Sequence, residues 1–157
     1  MQAMLNAMGR DKSWERRDGW QLLSIAIDSG AAETVIPHTL ITGYPVEETQ
    51  KSRAGVTYAS ATGDPIPNMG QQRLPMTTAE GSLRMMAFQA TPVAKALGSV
   101  WKICKQGHVV VFDEDGSYIF NKTSGELNWL REEDGNYMLD VWIPPREAMG
   151  QDFGRQP

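Results

Sequence analysis

Cysteine is almost missing from this chain, and histidine nearly so: Cys104 stands alone, with only His38 and His108 beside it. A single cysteine excludes an internal disulfide and makes a reducing compartment the default expectation. The three residues show no metal-ligand spacing, so neither a metal centre nor a cofactor is expected. Concentrated positive charge is missing too. Lysine and arginine number 15 against 19 acids, a net charge of −4 with the two signs interspersed. That argues against nucleic acid or an anionic membrane as the main partner. No apolar run approaches the roughly 18 residues of a membrane span, and the opening MQAMLNAMGR lacks the continuous apolar core of a secretory leader. The expectation is a soluble, cytoplasmic protein, in which the Asn121-Lys122-Thr123 glycosylation triplet is silent. Internal repeats and low-complexity blocks are also absent from the sequence.

What the chain does contain is ordinary globular material. Its 157 residues are 41% hydrophobic, and a chain of this size buries about two-thirds of its unfolded surface without staples. Residues 1–19 are Met-rich and then mixed in charge, which reads as a flexible N-terminal arm. From Trp20 onward short β-prone runs alternate with turns. Leu23, Ile25 and Ile27 recur with a period of two, and Thr34-Val35-Ile36 is β-branched and stops at Pro37. Further extended runs are expected over Gly55–Ser60, Ile66–Leu74, Leu83–Ala90 and Val109–Phe112. The one internal helix signal spans Val93–Lys105 and is interrupted by Gly98. Within it Trp101 and Ile103 are expected in the core, with Lys102 and Lys105 on a solvated face. Residues 114–145 read as a β-meander, and 146–157 as a flexible tail after Pro144-Pro145. Many short strands at regular spacing predict an all-β domain, closed or sandwich-like.

One stretch needs a separate reading. In LLSIAIDSGAAETVIP an ionisable residue, Asp28, sits between two strongly apolar segments. Asp-Ser-Gly is good turn chemistry by itself, because Asp caps its own backbone and Gly accepts positive φ. A surface turn, however, is usually bounded by half-polar strands, and the small residues Gly30, Ala31 and Ala32 allow another backbone to come close. A carboxylate desolvated in this way is a functional-site candidate.

The stretch resembles the retroviral-type aspartic peptidases, the retropepsins. In that family an apolar strand leads into D-[ST]-G-A and then a short T-V-[IL] run, as Ile25-Ala26-Ile27-Asp28-Ser29-Gly30-Ala31 and Thr34-Val35-Ile36 do here. Ala96-Leu97-Gly98 before a short helix is similar to the family's second element, and Tyr58–Gly70 lies where the family places its flap hairpin. Residues 97–121 look like the copia-type retrotransposon branch, in which the peptidase is part of a Gag-Pol polyprotein; the ending DGNYMLDVWIPP is similar to the linker before integrase in such polyproteins. Retroviral members often carry an acid at the place of Ala32 and an arginine at that of Ser99, and the two pair. Losing one would strand a partly buried charge, whereas losing both is close to neutral, so the double change reads as a coherent variant.

The resemblance implies a closed acid-protease barrel over residues 20–113, with one short helix and a flap, extended by the meander of 114–145. It implies an aspartic endopeptidase that processes its own polyprotein. Because the chain has one such triplet, two copies must form a homodimer around paired Asp28 carboxylates. Ser29 and Gly30 complete the catalytic loop in this reading. Ala31, Ala32 and Glu33, with Thr62, Gly63 and Asp64 at the flap tip, contact an extended peptide substrate. Two other readings remain: a catalytically silent retropepsin-like module that dimerises or binds peptide, and an unrelated β-domain with Asp28 in an ordinary turn.

Overall fold

Alternation along the first strand sets the architecture. A computed structural model describes residues 19–60 and 62–149; the N-terminal arm and most of the C-terminal tail lie outside the described residues. Strand β1 (Gln21–Asp28) turns Leu23, Ile25 and Ile27 inward, where they are almost wholly buried. Next come β2 (Val35–Pro37), β3 (Val46–Glu47), helix α1 (Gln50–Arg53), and the hairpin β4 (Thr57–Ala59) with β5 (Pro65–Pro67). The long hairpin β6 (Gly70–Thr78) and β7 (Leu83–Thr91) follows, then β8 (Leu97–Ser99) and helix α2 (Val100–Lys105). The chain ends in β9 (His108–Val111), β10 (Tyr118–Asn121), β11 (Leu127–Trp129), β12 (Arg131–Glu133) and β13 (Asn136–Ile143), with a 3-10 turn at Arg146–Ala148.

The protein is mostly β, and six of the strands close into a barrel in the order β13, β1, β8, β2, β7, β6. β1 runs antiparallel to β13, from Gln21↔Ile143 to Ala26↔Met138, and parallel to β8. β2 runs parallel to β7 and meets β8 antiparallel at Val35↔Leu97. The β6–β7 hairpin pairs from Gly70↔Ala90 to Thr77↔Leu83, and β6 closes the ring against β13 at Val141↔Thr78 and Trp142↔Thr77. A barrel of this size is filled by its own side chains. Leu23, Ile25, Ile36, Leu74, Phe88 and Val141 form that filling. The last strand of the 114–145 segment is therefore a wall of the barrel, inserted between β1 and β6.

Several elements differ from the sequence expectation. The region Val93–Lys105 is helical only from Val100; Leu97–Ser99 is a strand instead, because its backbone pairs with β1 and β2 on either side. Among the described residues there is also a short helix, α1, where the sequence carries no helix signal. It presents no buried residue, so it carries no apolar period; Thr49 and Ser52 fix it through a capping box. Extended backbone over Ile66–Leu74 breaks at Asn68. Gly70 there has φ of 133°, and a Cβ would lie 2.4 Å from the Glu47 carbonyl oxygen, which only glycine tolerates. Trp101 is not core: it is 53% exposed, its ring lying beneath the Lys105 ammonium at 4.4 Å. Ile103 alone on α2 is buried.

Polar ties hold the outer elements to the barrel. Ser82 and Arg84, at the β6–β7 end, bind the carboxylate of Glu126, and Thr78 donates to Asn128, fastening the β9–β10–β11 sheet. Arg131 on β12 makes a bidentate pair with Asp140 on β13 at 2.8 and 3.0 Å, and Ser24 donates to the same carboxylate. Asp140 is buried, so Arg131→Ala should cost roughly 3 kcal/mol in urea unfolding, and markedly less when Asp140 is changed to Asn as well. The Arg84 hydrogen bond, followed by those from Ser82 and Ser124, outweighs burial and holds the Glu126 carboxyl below its ordinary 4.5. Its stabilisation is present above that value and is lost as pH falls through the lowered one. Urea titrations below pH 4.5 should accordingly show a shallower loss of stability for Glu126→Gln than for the wild type.

Candidate active site

Asp28 is the last residue of β1, at the point where the apolar strand leaves the barrel wall. β8 lies beside it in parallel register, with Ser99 opposite Asp28 and Gly98 opposite Ile27. A Cβ on Gly98 would come within 3.0 Å of Ile27 Cδ1 and 3.2 Å of Ile25 Cγ2, so the close fit of β8 depends on the missing side chain. β1 and β2 run in opposite directions on the two sides of β8. The loop of residues 29–34 joins them around its end.

Hydrogen bonds fix this loop. The Gly30 N–H donates to Asp28 Oδ1 at 2.7 Å, and the Ala31 N–H reaches the Asp28 carbonyl oxygen at 3.4 Å. An added Cβ on Gly30 would sit 3.3 Å from the same carboxylate oxygen. From beneath, the fully buried Ser99 donates its hydroxyl to the Ala31 carbonyl at 2.7 Å and accepts the Lys102 N–H as the cap of α2. The Ser99 N–H donates to Thr34 Oγ1 at 3.1 Å, and the Gln89 N–H to the Thr34 carbonyl at 2.9 Å. One neutral hydroxyl thus pins both the loop and the helix.

Asp28 itself is half-buried, while Ser29, Gly30 and Ala32 are exposed. The Ser29 hydroxyl has no hydrogen-bond partner among the described residues. Ala31 and Glu33 are half-buried. Glu33 does not point freely outward: its two carboxylate oxygens meet Lys51 at 3.3 Å and Lys102 at 3.7 Å.

Thr62, Gly63 and Asp64 lie at the turn of the β4–β5 hairpin, exposed; Ala61 is outside the described residues. Gly63 has φ of 88° and its N–H donates to the Ser60 carbonyl, while Thr62 donates to the Asp64 carboxylate. The hydrogen bonds of these three stay within the turn itself. The hairpin's lower end is nearer to the Asp28 loop. Asn68, buried at that end, donates to Tyr58 Oη at 2.8 Å and to Gln89 Oε1 at 2.9 Å. Burial pushes the Tyr58 phenol up, with the Asn68 bond acting against it.

Two surface clefts, of about 330 and 270 Å³, flank Tyr44 and Arg146 at the end of β1 remote from Asp28. No group of three His, Cys, Asp or Glu side chains suited to a metal occurs among the described residues. Sequence reasoning missed Thr34, Ser99 as a double anchor, Lys51, Asn68 and Gln89; their roles depend on partners far along the chain, and no local spacing marks them. The chain matches no protein-family model, no curated protein and no solved structure.

Ser99→Ala removes a helix cap and leaves the Ala31 carbonyl unpaired. A loss of about 1–3 kcal/mol in chemical denaturation is expected.

Proposed function

We propose that the protein is an aspartic endopeptidase of the retropepsin-like kind, working as a homodimer on an extended peptide within a retrotransposon Gag-Pol polyprotein. The observation that carries this reading is the setting of Asp28. An apolar strand delivers it to a tight loop whose Gly30 N–H binds one carboxylate oxygen, and the loop is braced by a strand inserted between β1 and β2. The exposed hairpin β4–β5 supports it further, since it falls between the Asp28 loop and β8 in the chain, where the resemblance puts a flap.

One chain supplies one such carboxylate, so the chemistry requires a second copy. Two Asp28 side chains about 3 Å apart cannot both ionise; one stays protonated and the other acts as base. The base draws a proton from a water held between them while the acid hydrogen-bonds the scissile carbonyl oxygen. The water then attacks the carbonyl carbon, and the proton passes on to the leaving amine with no covalent enzyme intermediate. The Gly30 N–H keeps each carboxylate oriented through this exchange. In this reading Ser29, exposed beside it, hydrogen-bonds across the two-fold axis. An extended substrate adds as a strand between the loop floor and the hairpin, with Ala31, Ala32 and the turn at Thr62–Asp64 alongside it.

In a longer precursor, Asp28→Asn should reduce cleavage by about 10²–10⁴-fold, followed by gel analysis of the products. Processing at the wild-type rate would end this reading. Peptide binding without turnover in either protein would leave a silent binding or dimerisation module in its place.

A further inference from the structure

Glu33 joins three separate parts of the chain. It belongs to the loop that begins at Asp28, Lys51 to α1, and Lys102 to α2. The Glu33 side chain keeps only 22% exposure, although its two lysine partners are 51% and 40% exposed. Helix α1 is the root of the β4–β5 hairpin: the Val56 N–H donates to the Lys51 carbonyl, and the Asn68 N–H donates to the Val56 carbonyl, so the far end of the hairpin is tied to Val56 and Val56 to the helix. Tyr58 on β4 lies within reach of the same charges, Glu33 raising its phenol and Lys51 lowering it after the larger effects of burial and Asn68.

The hairpin is therefore joined to the Asp28 loop by two routes of different kind. One is neutral and shielded: Tyr58 to Asn68, Asn68 to Gln89, and Gln89 to Thr34. The other is the ion pair of Lys51 with Glu33, whose carboxylate Lys102 holds from the far side. Salt screens a solvent-facing pair and leaves shielded neutral hydrogen bonds nearly untouched. Covers of this sort open and close over a site, and small changes at their roots alter how often they do so.

We propose that Glu33 is a positioning residue that tethers the root of the β4–β5 hairpin to the Asp28 loop, making the hairpin's opening responsive to ionic strength. Lys51 is the hairpin's side of the tether, and Lys102 fixes the carboxylate from the side of the loop. The kinetic consequence rests on the endopeptidase reading; the tether itself does not. Amide hydrogen exchange over residues 57–67 of the full chain, at low and high sodium chloride, reads it directly. Glu33→Gln and Lys51→Gln should each speed hairpin exchange about two- to fivefold at low salt. Both should also lose the wild type's acceleration on adding salt, and Lys102→Gln should change the hairpin less than Lys51→Gln does. With a cleavable peptide, Lys51→Gln should raise KM while leaving kcat within about twofold. Unchanged exchange in both, a wild-type hairpin indifferent to salt, or an equal effect of Lys102→Gln would overturn the tether. The expected exchange pattern in a wild-type chain that cleaves no peptide would uphold the tether and remove the endopeptidase reading instead.

Discussion

The approach of β8 to β1 governs everything around Asp28. Parallel pairing over three residues brings Ser99 to the level of Asp28, and the pairing is possible because Gly98 offers no side chain to the methyl groups of Ile25 and Ile27. Both isoleucines belong to the buried core of the barrel. The loop carrying the carboxylate is thus built directly on the hydrophobic core, and an interior as dense as a crystal transmits any displacement to it. Ser99 adds the polar half of the same junction. It reaches the loop through its hydroxyl, the threonine of β2's approach through its amide, and the helix through its cap.

A neutral hydroxyl in that place has a physical consequence. A charged pair beneath the loop would need full desolvation and a complete set of hydrogen bonds to be worth its burial. Serine asks for one acceptor and one donor, and both are present. Charge near the loop lies on Glu33 and its two lysines, where water shares the cost and the interaction is weaker. The stronger charged contacts stand elsewhere, at Arg131–Asp140 and Arg84–Glu126, and these fasten peripheral strands rather than the site.

How much of this could be read from the sequence depended on range. The alternation of Leu23, Ile25 and Ile27 and the break at Asp28 are local, and β1 follows them closely. The all-β class was legible from many short runs, although closed and sandwich forms were not separable without knowing partners. Helix α1 carries no apolar period because no residue of it is buried; only Thr49 and Ser52, three apart, mark its start. Leu97–Ser99 reads as helical because Ala94, Lys95 and Ala96 precede it, and sheet pairing from both sides overrides that preference. Trp101 reads as core, yet it is exposed and its ring faces the ammonium groups of Lys102 and Lys105 rather than the barrel. The setting of Glu33 was out of reach, since Lys51 lies 18 residues away and Lys102 much farther.

The position of β13 bears on the order in which the protein comes into being. This strand separates β1 from β6, yet it is the last of the barrel strands to leave the ribosome. Until residues 136–143 are made, β1 lacks its antiparallel neighbour and the ring stands open along one seam, with pairings of high sequence separation still to form. The barrel that carries the Asp28 loop therefore closes only after nearly the whole described segment has been translated, which builds a delay between the synthesis of the acid loop and the closing of the ring beneath β1.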